Sequence, residues 1–79
     1  MQKLPMYRYF KKLEEEFIKT HGVAPTTLVI GESKLADLKY ELYANKNDYF
    51  VSGLLSQNGN KYHGLNIEKS EDTQCFKLK

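Results

Sequence analysis

The sequence predicts an α+β fold, a two-layer sandwich in which two helices pack on one face of a mixed four-stranded sheet, in the order α-β-α-β-β-β. Three observations carry this. Apolar residues recur at helical spacing in two early segments, an unbroken apolar run separates them, and the last third alternates around turn dipeptides.

Residues 5–21 form the first predicted helix. Pro5 suits its first turn, where a missing N–H costs little. Met6, Phe10, Leu13 and Phe17 follow one another at intervals of four, three and four, which stacks them on one face, and Lys11, Lys12, Glu14, Glu15, Glu16 and Lys19 occupy the rest. Gly22 suits the left-handed position past the end, and Pro25 forbids continuation. Thr26–Gly31 reads as a strand whose run Leu28-Val29-Ile30 implies cover on both faces. Ser33 is the expected N-cap of a second helix over 34–44, with Leu35, Leu38 and Leu42 as its core stripe, widened by Ala36 and Tyr43. Asn45–Asp48 has turn chemistry.

Tyr49–Ser56 and Lys61–Lys69 flank Asn58-Gly59, a strong hairpin dipeptide. A two-residue turn there pairs Gln57 with Asn60 and Leu54 with His63. It puts Phe50, Leu54, Leu65 and Ile67 on the core face, and Val51, Leu55 and Tyr62 on the other. Ser70–Thr73 is a second turn, and Gln74–Lys79 a last strand whose lysines suit an edge. The step from Leu28 through the second helix to Phe50 is then a parallel crossover.

The chain has 79 residues, 41% of them hydrophobic and 28% charged, which suits a single domain over 1–79 with a modest core rather than a disordered segment. Twelve cations against ten anions give a net charge of +2, which neither demands nor forbids an anionic partner. Cys75 is the lone cysteine, so a disulfide scaffold is excluded. Met1–Phe10 lacks an apolar run of signal-peptide length, and no stretch approaches a membrane span. The expected setting is cytoplasmic, with no membrane partner.

Chemistry-bearing constellations are sparse. Cys75, His21 and His63 lie far apart and match no nucleophile signature or zinc spacing. Glycines form no phosphate cradle, and Gly31-Glu32-Ser33 at a helix start carries a repelling carboxylate. No catalytic, metal-binding or cofactor-binding residue is assigned, and an enzyme is not expected. Two surfaces remain. Tyr49, Val51, Leu55 and Tyr62, grouped on the outer sheet face, would form a protein-binding patch or a self-association surface. Tyr7, Arg8, Tyr9, Lys11 and Lys12 would let a nucleic acid stack on the rings while its phosphates meet the cations.

From Pro25 onward the pattern Pro25-Thr26-Thr27-Leu28-Val29-Ile30-Gly31, then Leu35, Leu38 and Leu42, then Tyr62-His63-Gly64-Leu65-Asn66-Ile67-Glu68 resembles small proteins of prophages and other mobile elements. It is similar, more distantly, to a segment of the tailed-phage major capsid fold. That resemblance implies a shared local strand-helix-strand topology and brings no catalytic residue. Together these readings lead to a non-enzymatic interaction or assembly module, with a nucleic-acid-binding accessory protein as the alternative.

Overall fold

A computed structural model describes residues 4–79. Helix α1 spans Pro5–His21, with Pro5 in its first turn as the sequence predicts. Leu4, at the N-cap, supplies no side-chain acceptor. The acceptor comes from afar: the carboxylate of Glu41 takes the N–H of Met6 at 2.8 Å and that of Tyr7 at 3.1 Å. Two donors that a helix start leaves orphaned are thus met by a charge favoured at the positive end of the helix dipole. At the other end Gly22 sits at φ 73°, and its N–H donates to the carbonyl of Ile18.

Strand β1, Thr27–Gly31, runs straight into α2, Glu32–Ala44. Leu28, Val29, Ile30 and Gly31 are all buried, as their apolar run predicts for a central strand. Helix α2 starts earlier than expected, and Ser33 is not its N-cap. Gly31 takes that position, and the carbonyl of Thr73, in the turn after Ser70, accepts from the N–H groups of Ser33 and Lys34. Gly31 is required by close approach: a Cβ here would overlap the backbone of Asp72 and Thr73.

The expected strand over Tyr49–Ser56 does not form. Asp48 caps a short helix α3, Tyr49–Ser52, its Oδ1 accepting from the N–H of Val51 at 3.0 Å. Helical winding sends Val51 and Leu54, three apart, inward together, where a strand would set them on opposite faces. Phe50, expected in the core, is 54% exposed. The predicted register survives as a single bridge, Leu55 to Tyr62, beyond which the chain departs from the sheet.

Strands β2 (Lys61–Tyr62) and β3 (Leu65–Ser70) replace the expected continuous strand over 61–69. They are joined by His63 and Gly64 at φ 50° and 84°, the positive values a tight hairpin turn demands. Strand β4, Phe76–Leu78, closes the mixed sheet in the order β2-β3-β1-β4. β1 pairs parallel with β3 and antiparallel with β4. The parallel crossover from β1 therefore returns at Leu65, not at Phe50.

The core is Phe10, Leu28, Ile30, Leu38, Val51, Leu54, Tyr62 and Leu65, with Ile67, Phe76 and Leu78 packed against it. Cross-strand pairing puts Ile67 and Leu78 beside Leu28, and Phe76 beside Ile30, so one sheet face meets the helices. On the other face Val29 lies between Glu68 and Lys77, and Glu68 pairs with Lys79 at 2.9 Å. Their aliphatic stems leave Val29 only 5% exposed on an otherwise polar face. Among the described residues, no helix is long and apolar enough to cross a membrane.

Candidate interaction surface

The four side chains expected to share the outer sheet face do not share any face. Val51 and Tyr62 are in the core at 1% and 0% exposure, and Leu55 is half-buried against it. Tyr49 stands on α3, 95% exposed. The cause is the Asp48 cap, which winds 49–52 into a helical turn. The hairpin then aims Tyr62 at the ring of Phe10, edge-on with centroids 5.0 Å apart.

On α1 the fold engages both rings of the basic-aromatic segment. Tyr7 packs against Phe10, Phe50 and His63, and Tyr9 packs against Phe76 at 5.3 Å. Lys11 is paired with Glu14 at 2.6 Å, a hydrogen bond that holds its ammonium above the ordinary lysine value. Arg8 and Lys12 are exposed and share a face at a spacing of four. Tyr7 is thus partly buried against the domain, while Tyr9 touches Phe76 and stays 50% exposed.

The reactive side chains each have separate surroundings. Cys75 Sγ lies 3.9 Å from the carbonyl of Val29, His21 lies tilted against Phe17 with centroids 4.2 Å apart, and His63 lies against Tyr7 and Phe10. Among the described residues, no three His, Cys, Asp or Glu side chains come together as metal ligands.

Two buried polar groups stand out, Glu41, which no sequence pattern singles out, and Tyr62, expected on the outer sheet face. Glu41 is 6% exposed beneath the start of α1. The Tyr62 hydroxyl is buried without a hydrogen-bond partner among the described residues. Burial, and then the nearby Glu41 charge, push its pKa well above the ordinary tyrosine value. Two outcomes follow. Tyr62→Phe keeps the ring and removes an unsatisfied hydroxyl, so it is expected to stabilise the domain by about 1 kcal/mol in urea unfolding. A folded-state pKa above the unfolded one means stability is whole below pH 10 and declines above it, where only the unfolded chain ionises at this ring. Tyr62→Phe should flatten that alkaline decline, read from urea midpoints at rising pH.

What remains open is α2 and α3. Four of the seven exposed large hydrophobic side chains among the described residues fall within 40–50: Tyr40 at 74%, Tyr43 at 67%, Tyr49 at 95% and Phe50 at 54%. Lys46 lies over the Tyr43 ring, 4.6 Å from its centroid. The signal was in the sequence as Tyr40, Tyr43 and Tyr49, but only Tyr49 was placed on a surface.

Comparison with protein-family models, curated proteins and solved structures found no match. The functional reading therefore stands on the geometry above.

Proposed function

We propose that the domain is a non-enzymatic protein-interaction or assembly module, of mobile-element origin as the resemblance of its Pro25–Gly31 and Tyr62–Glu68 segments implies. It binds through Tyr40, Tyr43, Tyr49 and Phe50. The supporting observation is the gathering of exposed aromatics, Tyr40, Tyr43 and Tyr49 beside the half-exposed Phe50, on a single short stretch. Tyrosine presents a large, stiff contact area with a polar tip, and it is over-represented where interfaces hold their binding energy. Lys46 already lies over the Tyr43 ring, so a partner's guanidinium or ammonium would meet the other rings of the group.

The test uses the whole domain as bait in lysate of its source cells, beside Tyr40→Ala/Tyr43→Ala/Tyr49→Ala. All three side chains are exposed, so the triple variant should melt close to wild type, with changes of about 0.5 kcal/mol per site or less. The expected result is a partner, or a second copy seen by light scattering, that wild type holds and the variant loses. Equal retention by both proteins, or a monomer that holds nothing, would contradict this function.

A further inference from the structure

A groove of about 470 Å³ runs between α2 and β3, lined by Glu32, Leu35, Ala36, Lys39, Lys69 and Ser70. Its strand wall is a sheet edge. β2 pairs with β3 only at Leu65 and Asn66, and one further bond follows, from the Ile67 N–H to the Asn60 carbonyl. Beyond it, no described strand lies on that side of Glu68, Lys69 and Ser70. Backbone groups alternate along a strand. Asn66 donates toward β1 and Ile67 toward β2, so the N–H and C=O of Lys69 point to the open side with the C=O of Ile67. Lys69 pairs with Ile30, a core-face residue, so its side chain rises on the helix side, where Lys39 of α2 lines the same groove.

We propose that this groove takes an extended, acidic segment of a partner protein, which adds to β3 as a further strand. The proposal rests on the reading that the domain works by binding protein. A peptide lying there meets the backbone groups of Ile67 and Lys69 that have no partner among the described residues, the main-chain recognition that gives strand addition its affinity. Leu35 and Ala36 form an apolar wall for its small side chains, and Lys39 and Lys69 flank it as two cations. Glu32 is the sole anion lining the groove, at the start of α2, so it sets the peptide's acidic residues toward the Lys39 end. A second copy pairing β3 to β3 antiparallel about Lys69 would set two Lys69 side chains opposite one another, which disfavours self-addition in that register.

The experiment titrates the whole, isotope-labelled domain at low salt with a short peptide of alternating glutamate and valine, and with its lysine–valine counterpart. The expected result is a shift and slowed exchange of the Lys69 amide, with the glutamate peptide bound about tenfold more tightly or better. Lys39→Glu/Lys69→Glu should invert the preference, and Lys39→Gln/Lys69→Gln, which keeps the stems, should erase it. Equal affinity for both peptides, an unchanged preference in the charge-swapped protein, or shifts confined to β4 or the outer sheet face would overturn the proposal, as would groove amides that respond to protein concentration alone. If the glutamate peptide fails while the tyrosine variant still loses its partner, this proposal falls alone. If neither binds, the reading beneath it falls too.

Discussion

Gly31→Ala is expected to destabilise the domain by about 3 kcal/mol or more, the upper range for overpacking, because the added methyl meets backbone rather than a yielding side chain. The atoms in its way belong to Asp72 and Thr73. Moving that turn also strains the bonds that Thr73 accepts from Ser33 and Lys34, and the bond from the Gly31 N–H to the Cys75 carbonyl. A domain of this size holds about 0.05–0.15 kcal/mol per residue in total, so the loss is a large share of its stability. Urea unfolding measures it, and hydrogen exchange should show Ser33 and Lys34 losing protection first. Gly22→Ala is the control: Gly22 has a positive φ but open space around a new Cβ, so about 1 kcal/mol is expected. Equal effects at the two glycines would contradict the packing described.

Glu41→Ala should cost about 3 kcal/mol. It removes two charge-assisted bonds and leaves the Met6 and Tyr7 N–H groups without their acceptor. Glu41→Gln should cost less, about 2 kcal/mol, since one amide oxygen can still accept while the NH₂ faces a second donor. Both changes act across a sequence separation of more than thirty residues, so α1 should loosen from α2 while the sheet persists. Amide exchange should rise through the first turns of α1 ahead of β1 and β3. A uniform rise across the whole molecule would show instead that α1 and the sheet open as one unit.

The sequence made the regular elements legible, and the features it hid have identifiable physical causes. The Met6–Phe10 spacing and Gly22 marked α1 because helix faces and left-handed ends leave local signatures. The Leu28–Ile30 run marked β1 as central for the same reason. The segment 49–56 misled because Tyr49-Phe50-Val51 has strand composition, and the cap at Asp48 outweighed it. Asn58-Gly59 does turn the chain, with Gly59 at φ 73° and its N–H donating to the Ser56 carbonyl, but a second, tighter turn follows at His63-Gly64, where a histidine takes a conformation more common for asparagine or glycine. Tyr62, ahead of that second turn, is buried, and with Val51 also in the core the expected surface patch does not form. Glu41 was hidden differently. It follows Leu38 by three residues and so lies on the apolar stripe, where a lone carboxylate signals a buried acceptor role. Its partners, the N–H groups of Met6 and Tyr7, are backbone atoms that no sequence pattern displays.

The most direct test is a footprint. Hydrogen exchange of the whole domain, alone and with the protein it retains from lysate, should show protection gathered on α2, α3 and the open edge of β3. Protection gathered instead around Arg8 and Lys12 of α1, or over Val29 and Lys77 on the polar sheet face, would contradict binding through the α2–α3 side.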